Sequence, residues 1–112
     1  MIPAVDSWDI RSLDLQPHQP KVLRSDDEAR VIAINLSAGD QLGDHQVHER
    51  AWLVVADGEV EVSEGERTES GGPGFLVHFQ ANERRGVRAT SDARLVLILA
   101  PWPGEGHHSH RH

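Results

Sequence analysis

The sequence predicts an all-β domain, and three observations carry that prediction. Short runs rich in β-branched and apolar residues recur at a spacing of about 8–12 residues with turn residues between them, the signature of a sandwich or barrel. One pair of runs is separated by Asp57-Gly58, the strongest short hairpin signal. No stretch shows the 3.6-residue apolar period of an amphipathic helix.

The elements follow in order. Residues 1–30 are rich in Pro, Asp and Ser, with short apolar pieces such as Val22-Leu23. They read as an N-terminal arm carrying one or two edge strands. Val31 to Leu36 is β-branched and reads as a strand, stopped by the turn Ser37-Ala38-Gly39-Asp40. Ala51 to Ala56 is apolar on both faces, so something must cover each side: the arm or a second subunit outside, the core inside. After Asp57-Gly58, Glu59 to Ser63 alternates, with Val60 and Val62 on one face and Glu59 and Glu61 on the other. Residues 64–74 read as a Gly-rich loop, Phe75 to Phe79 as a strand, Asn82 to Gly86 as a turn and Val87 to Thr90 as extended chain. Ala93 to Ala100 is a long apolar strand that Pro101 and Pro103 terminate. The predicted organisation is an arm at 1–30, a barrel at 31–103 and a disordered His-rich tail at 104–112.

Composition narrows the function classes. A chain of 112 residues supplies one domain and one core. Cysteine is absent, which excludes disulfides and thiolate metal sites. A net charge of −7 argues against nucleic acid as a partner, because neutralising phosphates takes a basic stripe. No apolar run approaches the roughly 20 residues of a membrane helix. Met1 to Ile10 lacks the pattern of a signal peptide, so a cytoplasmic location is expected. The tail Gly106 to His112 carries histidines that would bind nickel, copper or zinc loosely; a solvated tail with incidental metal affinity is the plainer reading.

Two stretches resemble the paired motifs of the cupin superfamily. Gly39 is followed by five residues and His45, and Gly58 closes the stretch at the distance that the first motif requires. Gly74 is followed by Phe75-Leu76-Val77-His78-Phe79 and then Gln80 to Arg85, which matches the spacing of the second motif better than its residue types. The resemblance covers residues 30–100. It implies a double-stranded β-helix, or jelly-roll barrel, of the single-domain type-2 kind, with a pocket between two sheets and a homodimeric assembly.

The resemblance also implies where a metal would sit. The first ligand position is His45, the second falls on Val47, the glutamate on Ala51 and the last histidine on Arg85. One imidazole cannot hold a divalent cation against water, and a guanidinium at another position repels it. The first functional expectation is therefore a barrel with no resident cofactor that binds a small, anionic molecule. Its walls would be Val47, Ala51 and Leu53, its polar contacts His45 and Arg85, with His78 in the pocket wall. Arg85 could clamp an anion with Arg84 or Arg88 beside it, or pair with Glu83 or Glu49 at the surface. The second expectation is a metal-dependent oxygenase or isomerase whose ligands have shifted to His45, His48, Glu49 and His78. His45 and His48 face opposite ways on a regular strand, so that set needs a bulge. His45 is also the candidate for acid–base catalysis. The third is a structural or regulatory barrel with no ligand. Trp52, next to the inward Ala51, is expected to face outward into a dimer interface, while Trp8 and Trp102 are expected to anchor the termini.

Overall fold

The computed structural model describes residues 5–17, 19–26, 28–42, 45–46, 50–81 and 84–100; for residues 45, 46 and 84 only the strand position is described. The strands are β1 (Lys21–Ser25), β2 (Arg30–Leu36), β3 (His45–Gln46), β4 (Arg50–Asp57), β5 (Val60–Glu64), β6 (Arg67–Gly71), β7 (Leu76–Phe79), β8 (Arg84–Ala89) and β9 (Ala93–Ala100). They form two antiparallel sheets, in the orders β1-β2-β9-β4-β7 and β3-β8-β5-β6. No helix occurs among the described residues.

Alternation along each strand decides what lies between the sheets. Ala51, Leu53 and Val55 of β4 are buried, while Arg50 before them and Trp52 among them are exposed. Ala93, Leu95 and Leu99 of β9 and Ile34 and Leu36 of β2 join them from the first sheet. Val60, Val62, Val87 and Ala89 face them from the second. Each fully buried Leu, Val or Phe contributes about 1.5–3 kcal/mol, so these inner faces hold the fold together.

Three sequence expectations are corrected. Asp57-Gly58 does not join a hairpin: β4 pairs with β7 and β9, whereas β5 pairs with β6 and β8. The turn carries the chain from one sheet to the other. Gly58, at φ +78°, takes the corner against the backbone of Asp92. A turn signal specifies a reversal, not whether the flanking strands then pair. Second, residues 67–71 of the expected loop are strand β6, joined to β5 through the two-residue loop Gly65-Glu66, with Glu64 opposite Arg67. β6 is an edge strand exposed along most of its length, so it carries no apolar alternation to read. Third, Arg84 to Gly86 lie in strand β8 rather than in a turn. Their place is set by pairing with β5, Glu64 opposite Arg85 and Ser63 opposite Gly86.

The arm meets the barrel through polar anchors. Arg94 Nη1 donates to the carbonyls of Ile10 and Leu13, and Asn35 Nδ2 donates to that of Leu15 at 3.1 Å. Leu15 itself is buried. Trp8 is 42% exposed; Trp102 lies outside the described residues. β1 is an edge strand as read, and its turn into β2 is closed by Asp26, whose Oδ1 accepts from the N–H groups of Glu28 and Ala29. Those bonds hold the Asp26 carboxyl below its usual pKa of 3.8, with Arg24 adding a smaller electrostatic pull.

Candidate functional site

Strand register gathers the candidate positions at one end of the barrel. His45 of β3 is the cross-strand partner of Arg85 of β8, and Arg85 is in turn the partner of Glu64 on β5. On the opposing sheet Ala51 lies between Phe79 and Leu99. The site is thus built from the first residues of β4 and β8 and the last residues of β5, β7 and β9.

Arg85 is the most informative side chain there. It is 8% exposed, the one buried charged residue among the described residues. Val87 and Ala89, two and four residues on, are also buried, so Arg85 belongs to the inward face of β8. Its guanidinium carbon lies 5.1 Å from the centroid of the Phe79 ring, a cation–π distance. The guanidinium is interior rather than at the surface. Glu49 and Glu83, the partners named for a surface ion pair, lie outside the described residues.

The other candidates divide by face. Ala51 and Leu53 have no exposure and pack into the core; neither lines the cavity between β6 and β7 described below. His78 is on the outer face, its ring 4.4 Å from that of Trp52 at an interplanar angle of 52°. It sits one residue before the inward Phe79. Val47, His48 and Glu49 lie outside the described residues.

At the two motif positions whose side chains are described, the donors do not fit a divalent cation. The alanine methyl at position 51 offers no lone pair, and position 85 places a fixed positive charge within the interior. Among the described residues no three His, Asp or Glu side chains gather into a cluster that could hold a metal.

The cavity of interest, of about 300 Å³, opens between β6 and β7 and includes Val62, Glu64, Phe75 and Phe79 in its walls. Sequence reasoning missed it, because one of its two banks was read as loop. Arg67 to Ser70 is polar throughout, and only the pairing of Arg67 with Glu64 and Glu69 with Val62 makes it a strand.

The family model for the cupin domain matches residues 32–102. The chain belongs to the cupin family. No curated protein matches it. Among solved structures, this cupin is similar to an RmlC-like cupin family protein with a double-stranded β-helix fold from Methanocaldococcus jannaschii. The two share 18% identity and a TM-score of 0.76, over 92% of this chain and 94% of that one. A conserved protein of unknown function from Streptococcus pyogenes gives 16% identity and a TM-score of 0.75, over 89% and 90% of the two chains. KdgF from Halomonas sp. gives 16% identity and a TM-score of 0.71, over 81% and 90%. At these identities the likeness establishes the double-stranded β-helix fold, and function has to be argued from the site.

Proposed function

We propose that this cupin binds a small anionic molecule at the barrel end marked by Arg85, without a resident metal. The observation that carries the reading is a buried guanidinium, stacked on Phe79, at the position where the family motif has a histidine ligand. A guanidinium offers a planar fork of donors that matches a carboxylate or phosphate in two parallel hydrogen bonds. Burial strengthens such bonds by lowering the local dielectric. Strand positions of Arg30, Arg50 and Arg84 lie at the same end, opposite Leu99, Ala100 and Gln46 respectively.

A ligand that binds only the folded state raises the melting temperature in proportion to the logarithm of its excess. Benzoate, acetate and inorganic phosphate are the probes. The wild-type protein is expected to be stabilised by at least one of them, and Arg85→Ala is expected to lose that response. A response that survives in Arg85→Ala refutes the clamp. No response to any anion in the wild-type protein favours a barrel filled by its own side chains.

The assembly proposed with this site is a homodimer through the outer face of the first sheet. Trp52 is 42% exposed and Leu76 57%, and both stand on that face. Trp52 lies opposite His78 and Ile98 in register, and Val54 opposite Leu76 and Val96, which makes a continuous apolar surface. Large aromatic side chains in such surfaces dominate association energies. Trp52→Glu is expected to convert a dimer to a monomer by light scattering. A dimer that persists in the variant places the interface elsewhere.

A further inference from the structure

We propose that the cleft between β6 and β7 is a binding site for a small organic cation, a primary ammonium group carried on an apolar or aromatic body. This goes beyond the anion reading, which concerns a neighbouring position and the opposite charge. β6 and β7 are the outer strands of the two sheets and do not pair with each other. The seam they leave opens into the cavity of about 300 Å³, at the lower end of the roughly 300–1,000 Å³ range of small-ligand sites.

The walls select for both halves of such a ligand. Val62, Val77, Phe75 and Phe79 supply apolar surface for a hydrocarbon body. Phe75 is held against β6 by a glycine: a Cβ at Gly71 would lie 2.2 Å from Phe75 Cγ, so any other residue there would displace the ring. Aromatic faces attract ammonium groups.

The charge at the inner end is a carboxylate. Glu64 belongs to the face of β5 that carries Val60 and Val62 inward, and it is half-buried. Its Oε2 accepts the Gln80 N–H at 3.3 Å, which orients the group. Arg85 is the cross-strand partner of Glu64 with its guanidinium over the Phe79 ring, and His78 also lines the cleft; at the rim Arg67 Nη2 and Glu69 Oε2 approach to 4.0 Å with side chains 85% and 62% exposed. So exposed a pair is well screened and adds little field inside. A ligand anion entering this cleft would meet Glu64, whereas an ammonium would gain a charge-assisted hydrogen bond.

Phenethylammonium chloride, titrated into the isotopically labelled full chain and followed by amide NMR, tests the proposal. Shifts are expected at Glu64, Phe75, Val77 and Gln80, with a dissociation constant of about 1 mM or tighter. Glu64→Gln keeps an oxygen for the Gln80 N–H and removes only the charge; it should weaken binding about tenfold. Phe75→Ala removes a wall instead of the charge, should also weaken binding, and decides the matter if Glu64→Gln proves poorly folded. Arg85→Ala should lose the response to benzoate and keep the response to phenethylammonium, so the two proposals fail separately. Absence of localised shifts, affinity unchanged from wild type in both cleft variants, or loss of phenethylammonium binding in Arg85→Ala would overturn the cation site.

Discussion

Gly58→Ala is expected to cost about 3 kcal/mol or more of folding stability, from strain at positive φ together with a steric clash. The backbone at residue 58 has φ +78°, a region that L side chains rarely adopt. A Cβ there would stand 2.0 Å from the carbonyl oxygen of Asp92 and 2.7 Å from Cα of Ala93. Both neighbours are backbone atoms, so no side chain can swing aside to relieve the overlap. Segment 90–92 is itself tied to the corner: the N–H groups of Thr90 and Ser91 donate to the Glu59 carbonyl, and the Glu59 N–H donates to Ser91 Oγ. The β4–β5 corner and the β8–β9 turn would have to separate together. Urea unfolding should show a lower midpoint with an unchanged slope, the mark of lost stability rather than a changed denatured state. A loss below about 1 kcal/mol would mean that the corner relaxes freely, and the close approach would have no energetic role.

The corner also shows what the sequence could and could not reveal. Asp57-Gly58 announced a reversal in the right place, since only a residue that tolerates positive φ closes so tight a turn. It could not announce that the next strand joins the other sheet, because that depends on partners far along the chain. β5 takes β8 as a neighbour through Val60 opposite Ala89, a pairing across 29 positions. The inward faces of β4, β5 and β9 were legible because both faces of each strand have a distinct chemistry or a long apolar run. β6 was not, because an exposed edge strand with Arg67, Thr68, Glu69 and Ser70 in succession looks like a polar loop.

The candidate site was legible in part for a similar reason. Ala51 and Arg85 could be placed by their spacing from Gly39 and Gly74, and alternation correctly turned Trp52 outward from Ala51. That Arg85 is buried could not be read, since a guanidinium next to a second arginine suggests solvent. Its pairing with Glu64, two residues from the packed pair Val87 and Val62, sets it on the inward face. The face of His78 follows from the same alternation once Phe79 is known to be the inward residue, but the spacing alone left both open. The arm's attachment was hidden because backbone carbonyls of Ile10 and Leu13 do the accepting, and a carbonyl is present at every residue.

Phe79→Ala is expected to lose about 3–5 kcal/mol of stability, the range for truncating a buried aromatic ring. Phe79 is among the largest fully buried side chains, and its ring joins three functions in one place. It fills the core opposite Ala51, carries the Arg85 guanidinium, and forms a wall of the cleft between β6 and β7. Stability alone cannot separate these roles, so Phe79→Leu is the informative companion. Leucine restores most of the apolar volume, and such a swap usually costs under about 1.5 kcal/mol. It restores no π face for the guanidinium. If the Phe79 face positions Arg85 for an anion, Phe79→Leu should unfold near the wild-type midpoint yet show a much reduced thermal response to the anion that stabilises the wild type. A full anion response in a stable Phe79→Leu would show that the ring serves packing alone and that Arg85 is positioned by its strand. Loss of stability as severe as in Phe79→Ala would show instead that this end of the barrel has no room to repack, which makes ring shape rather than ring charge the reason for a phenylalanine at position 79.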